Sequence, residues 1–184
     1  MACRIELRSR RVRMKIAIVG TAPSSRNLAP FGDDSWQIWS CSPGNINVPR
    51  CDVWFELHSL DVPWEDVEPA QQVEYLKFLK DHPKLYTNRI YPGFKGLEKY
   101  PIEAMIAKYG QYFFTSTVSM MMALAIEHIL EARKESGEVN NEIGLFGVDM
   151  ATDEEYAAQR PGCQFFIREC HLNKISVIIP PESD

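Results

Sequence analysis

Six positions of this chain carry side chains that could do chemistry together. Thr21, Ser24 and Ser25 follow the first apolar run, Ser116 opens a long apolar stretch, His58 closes a short one, and Asp149 follows another. Hydroxyls beside backbone amides can hold an anion or a ribose, most readily where a helix begins. A carboxylate can hold a sugar hydroxyl or an amine. An imidazole is the side chain that exchanges protons near neutral pH. Anion holding, hydroxyl binding and proton transfer are together the equipment of a site for a nucleotide or a nucleotide derivative.

Two runs must position these groups. Met14-Lys15-Ile16-Ala17-Ile18-Val19 ends in Gly20-Thr21-Ala22-Pro23-Ser24-Ser25, and Glu142-Ile143-Gly144-Leu145-Phe146 ends in Gly147-Val148-Asp149. Each reads as a buried parallel strand that delivers a small or acidic residue to its carboxyl end. Open α/β sheets bind ligands in the crevice outside those ends, where the strand order reverses. The turn after the first run lacks the Gly-Lys-Ser/Thr ending of a P-loop and the spacing of the dinucleotide fingerprint. It is a strand-to-turn junction in which Gly20, Thr21, Ser24 and Ser25 either touch a ligand or only shape a capped turn.

The remaining candidates sit on neighbouring elements. Trp36 to Ser40 and Asp52 to Leu57 read as further strands, joined by a loop that includes Asn45. By strand alternation Trp54, Glu56 and His58 share one face. His58 on the crevice rim is then either a general base or a histidine bonded to a loop. Residues 69–81 have helical spacing and stop before His82-Pro83, since proline disfavours helix at the residue before it. Residues 84–100, rich in Tyr, Gly and Pro, read as an irregular excursion with one short strand at most. Pro101 opens a helix that Gly110 closes. Thr115 or Ser116 caps the next helix, apolar nearly all round from Val118 to Leu130 and ended by Gly137. Capping suits Thr115, and Ser116 is the better ligand contact. A strand over 143–148 follows, with Asp149 at its end, and Thr152 with Glu155 forms a capping box for a short helix. Tyr156, Gln159 and Arg160 could fold over a ligand, Arg160 meeting a phosphate or a surface carboxylate. Residues 162–172 read as helix and 175–179 as a final strand.

Strands alternate with helices from end to end. The expected fold is therefore α/β: a single Rossmann-like domain with a mostly parallel sheet covered by helices on both faces. It spans residues 14–184. Residues 1–13 form a basic arm with five arginines against Glu6, either a disordered leader or an upstream extension before a start at Met14. Removing that net +4 from the formal −5 leaves −9 for the rest, which makes nucleic acid an unlikely partner, since its binding depends on neutralising phosphates. The arm lacks the apolar core of a secretory signal, and no apolar run approaches the roughly 20 residues that span a bilayer. Five scattered cysteines without a C-x-x-C pair argue for reduced thiols in the cytoplasm and against structural zinc. Neither a cofactor nor a metal is expected. Four Trp, seven Tyr and nine Phe serve either a core or an interface, so self-association stays open.

The turn Gly20 to Ser25 resembles the Gly-x-Gly-Pro-Ser-Leu turn of bacterial sialyltransferases and of related pterin-pyrophosphokinase-like domains. Cys51-Asp52-Val53-Trp54-Phe55 resembles the strand that follows their nucleotide-contacting loop. Ser116-Thr117-Val118-Ser119-Met120 and Gly147-Val148-Asp149 resemble their Ser-Gly-x-x-Met helix start and Gly-Ile-Asp strand end. The set also resembles a group of small bacteriophage proteins, which would place the chain in a host cytoplasm. The resemblance spans residues 15–156 and implies binding of a cytidine monophosphate sugar. It would make Ser24 and Ser116 contacts to phosphate or ribose and Asp149 a contact to nucleotide or sugar, with Tyr156 where a phosphate-binding tyrosine stands. The chain departs from the pattern at Ala22, which replaces the second glycine. It departs again at Cys41-Ser42, where an asparagine is expected and only Asn45 is near. No counterpart of the lid that supplies the family's catalytic histidine is found. The expected function is thus binding of a nucleotide or nucleotide sugar, with glycosyltransferase-like transfer from a nucleotide-linked donor and His58 as base. The alternative is a non-catalytic phage protein that binds or sequesters a small nucleotide.

Overall fold

The computed structural model describes residues 13–41, 47–61, 68–149 and 154–183, with residues 154–157 as backbone. Seven strands form one sheet: β1 Lys15–Val19, β2 Gln37–Cys41, β3 Val53–Glu56, β4 Leu85–Thr87, β5 Leu97–Lys99, β6 Glu142–Phe146 and β7 Ser176–Ile178. The helices are α1 Pro69–Asp81, α2 Ile102–Tyr109, α3 Thr117–Ser136 and α4 Glu154–Leu172. Strand order is β5-β4-β3-β2-β1-β6-β7, and every pairing is parallel. The chain winds outward from β1 to β5, then returns across the sheet to β6. The order therefore reverses beside β1, and the crevice lies between the carboxyl ends of β1 and β6.

Side-chain alternation sorts the core into two layers. Ile16, Ile18, Trp39, Phe55, Ile143 and Leu145 pack against α3 and α4 through Met121, Met122, Ala125, Ile126, Ile129, Cys163, Phe166 and Cys170. On the other face, Trp54 and Leu85 meet Tyr75 and Leu79 of α1. Ala17, Val19, Ile38 and Phe146 meet Ala29 and Trp36 of the β1–β2 connection. That connection holds only one 3-10 turn, Arg26–Leu28, because Pro23 and Pro30 leave no room for a full crossover helix. The α/β Rossmann-like architecture is as the alternation of elements implied.

Four local expectations are revised. Residues 84–100 contain two strands, β4 and β5, each of three residues and too short to show periodicity among turn residues. β6 stops at Phe146, because Gly147 takes a φ of 64°, a left-handed conformation that ends the ladder. Asp149 thus lies past the strand, in the irregular segment that follows Gly147. The last helix is one element of 19 residues that runs through Pro161. The α3 N-cap is Ser116. Thr152 and most of the basic arm lie outside the described residues.

Candidate site at the carboxyl edge of the sheet

The two glycines at the reversal point let β1 and β6 close on each other. Gly20 N–H donates to Phe146 O at 2.8 Å, and Ala22 N–H donates to Gly147 O at 3.0 Å. A Cβ on Gly20 would stand 2.3 Å from the carbonyl oxygen of Gly147, so no larger residue fits there without moving backbone. These two amides belong to the clasp between the strand ends. They are not aimed at an anion as the sequence reading allowed.

Ser25 lies beneath the clasp. It is fully buried, its Oγ accepts from Gly147 N–H at 2.8 Å, and it shares a 2.6 Å hydrogen bond with Ser183 Oγ. Ser24 points the other way. Its exposed hydroxyl bonds the Asp149 carboxylate, 2.7 Å and 2.9 Å from the two oxygens. Two neighbouring serines of one motif therefore do different work: one ties the turn together and one orients a carboxylate.

α3 begins at the same crevice. Ser116 Oγ accepts from Ser119 N–H at 3.1 Å, and Ser119 Oγ accepts from Ser116 N–H at 3.1 Å, a reciprocal cap built from two serines. The first intrahelical bond runs from Met120 N–H to Ser116 O. The amides of Thr117 and Val118 thus precede the helical ladder, at the positive end of a 20-residue helix. Thr115 donates its hydroxyl to Gln159 O at 2.9 Å and so pins α4 against this corner. Gly162 makes the close approach feasible, since a Cβ there would lie 2.4 Å from both Phe113 O and Thr115 Oγ1.

His58 follows β3. Its Nδ1 lies 2.7 Å from Glu56 Oε1, and its backbone N–H donates to the same oxygen at 2.9 Å. The hydrogen bond to Glu56 raises the pKa of His58 above its ordinary value, against an opposing effect of burial. Beside it, burial and the charge of Glu56 push the Cys41 thiol up to about 12. Cys41 is therefore a neutral wall at physiological pH and no nucleophile.

These elements enclose a cavity of about 340 Å³ lined by Gly20, Thr21, Ala22, Cys41, His58, Thr115 to Val118, Gly147 to Asp149, and Gln159. Six sequence candidates meet in it: Gly20, Thr21, His58, Ser116, Asp149 and Gln159. Ser24 reaches it through Asp149, and Ser25 supports it from below. Arg160 adjoins Gln159 on α4 but is not among the lining residues. Tyr156 lies in α4, where only the backbone is described, and Asn45 lies outside the described residues. Among its described lining residues the cavity holds one carboxylate, one imidazole, several hydroxyls and no lysine or arginine.

The sequence reading passed over Gly162 and Tyr75, and took Thr115 for a helix cap. Gly162 and Thr115 set the helix–helix corner, and Tyr75 holds Glu56 from α1. Only the placement of Glu56 and His58 two residues apart, on one face by strand alternation, hinted at their pairing. Among the described residues no cluster of His, Cys, Asp and Glu could hold a metal ion, and no helix is long and apolar enough to cross a membrane. Comparison with family models, with curated proteins and with solved structures finds no match to this chain.

Proposed function

We propose that the protein binds a nucleotide or nucleotide sugar in the carboxyl-edge cavity and transfers a group from it, with His58 as the base. The supporting observation is convergence. A hydroxyl-bearing turn, an oriented carboxylate, the open start of a 20-residue helix and an imidazole line one crevice at the point where strand order reverses. Its volume falls at the small end of the roughly 300–1,000 Å³ typical of ligand sites. The amides of Thr117 and Val118, with the Ser116 hydroxyl, would meet a phosphate. Asp149, steadied by Ser24, would accept from a sugar or base donor group.

The transfer step follows from that placement. The acceptor hydroxyl oxygen bonds the donor carbon as that carbon's bond to the phosphate oxygen breaks. The bonding pair leaves with the phosphate, and the hydroxyl proton passes to His58 Nε2.

Native mass spectrometry of the full chain with pooled nucleotides and nucleotide sugars tests this reading. A bound species that is consumed when small hydroxyl-bearing acceptors are added is the expected result. Asp149→Asn should weaken its binding at least about tenfold, the effect of losing one charged hydrogen-bond acceptor. Lys15→Gln, at the opposite edge of the sheet, should leave it unchanged. A ligand retained unaltered would reduce the proposal to binding without chemistry, and no bound species would overturn it.

A further inference from the structure

Behind His58 runs a hydrogen-bond chain whose direction is fixed by its first member. The indole of buried Trp54 can only donate, and its Nε1–H points at Tyr75 Oη, 2.9 Å away. The Tyr75 hydroxyl therefore accepts there and donates its own hydrogen onward, to Glu56 Oε2 at 2.7 Å. Glu56 Oε1 already accepts the backbone N–H of His58. Both carboxylate oxygens thus act as acceptors, and the one proton shared in the 2.7 Å contact between Oε1 and Nδ1 belongs on the ring nitrogen. A neutral His58 then carries its hydrogen on Nδ1 and leaves the Nε2 lone pair bare.

We infer that Glu56 is the positioning residue of the site, holding His58 in the Nδ1–H tautomer so that Nε2 serves as the proton acceptor. This deepens the proposed function and rests on its reading of His58 as the base. The burial contrast sets this pair apart from a surface ion pair. The His58 side chain is 68% exposed, whereas that of Glu56 is 1% exposed. A carboxylate so enclosed is costly unless its partners are arranged for it, and here donors come from both the segment after β3 and α1. The raised pKa of His58 agrees, because a fixed carboxylate on Nδ1 favours the imidazolium that proton uptake creates. Among the described residues, the other titratable groups around the pair are the Tyr75 hydroxyl behind Glu56, the Cys41 thiol at the end of β2 and the Asp149 carboxylate beyond β6. Burial keeps the first two protonated at neutral pH.

The test is a pH series of histidine ring 15N–1H spectra on the full chain, with His58 assigned by its loss in His58→Gln. The wild type should show neutral His58 protonated on Nδ1, with a titration midpoint above that of an ordinary histidine. Glu56→Gln should lower the midpoint, as expected when a carboxylate neighbour loses its charge, and Tyr75→Phe should lower it less. A wild-type Nε2–H tautomer overturns the inference. So does a midpoint unchanged in folded Glu56→Gln. Should that variant not fold, the wild-type tautomer and Tyr75→Phe decide the matter. Cytidine 5′-monophosphate added at the end separates the two levels of argument. A shift of the His58 Nε2 signal supports both. An unmoved signal, with the tautomer and the Glu56→Gln effect as expected, counts against the nucleotide and leaves Glu56 as the residue that sets His58.

Discussion

The two edges of the sheet are built on opposite plans. At the amino edge lies the larger cavity, about 580 Å³, lined by Arg13, Lys15, Trp36 and Glu135 among others. Its cations are engaged with the protein itself. Arg13 and Lys15 both pair with Glu142, and the Lys15 ammonium also lies 5.3 Å from the centre of the Trp36 ring. The carboxyl edge has the smaller cavity. Its side chains are oriented from behind: Asp149 by Ser24, His58 by Glu56, and the start of α3 by the paired serines. Size therefore does not single out the proposed site; orientation of its side chains by neighbouring partners does. A site must hold its groups within a fraction of an ångström, and surface ion pairs among long side chains do not do that.

The sharpest way to break this comparison is to perturb each edge where β1 meets β6. Gly20→Ala drives a methyl group against the Gly147 carbonyl, which is backbone and cannot rotate away. The expected loss is about 3 kcal/mol, at the upper end of overpacking costs, read as a lower urea midpoint with an unchanged m-value. Lys15→Ala at the other end of the same strand removes a 3.7 Å pair with Glu142 and should cost under about 1 kcal/mol. Equal losses at the two ends would erase the distinction between a clasped and a merely paired edge.

The same contrast governs what could be read from the sequence. β1 and α1 were legible to the residue, because an apolar run bounded by glycine and a helix bounded by proline are local signals. The meeting of the β1 and β6 ends was legible too, since alternating elements place the strand ends together whatever the loops do. Partners that come from distant elements were not. Nothing in Gly20 to Ser25 says that Ser25 turns inward to Gly147 while Ser24 turns outward to Asp149. Nothing near Glu56 says that Tyr75, nineteen residues later on α1, donates to it. Where one short strand was allowed for, β4 and β5 make two, and the shortfall has a different reason. Three-residue strands make their hydrogen bonds with neighbours already in place, not through a pattern of their own.

Ser25 and Ser24 offer a finer test within one turn. Ser25→Ala leaves Gly147 N–H buried without an acceptor and should cost about 1–3 kcal/mol, the usual penalty for an orphaned donor. Ser24→Ala removes an exposed hydroxyl and should change stability by under about 0.5 kcal/mol. It should nonetheless loosen any ligand held by Asp149. Paired urea melts check the first contrast, and titration with whichever ligand mass spectrometry identifies checks the second. If Ser24→Ala destabilises as much as Ser25→Ala, the division of labour between them is wrong.

The smallest effect concerns charge. Because its partner Glu56 raises the folded pKa of His58, their interaction stabilises the fold fully below the unfolded value of 6.5 and fades as pH rises through the folded value. The expected contribution is under about 1 kcal/mol, since the ring is mostly exposed and screened by solvent. Two other histidines work in the opposite sense. Burial lowers the pKa of His82 and of His128, so each adds stability as pH rises. The raw pH profile therefore mixes signs, and only the difference between wild type and His58→Gln isolates the pair. That difference should be largest near pH 5.5 and shrink toward pH 8, in urea melts at constant ionic strength. A difference that grows with pH would mean that the imidazole is held against its charge, and the carboxyl edge would then lose the electrostatic half of its contrast with the amino edge.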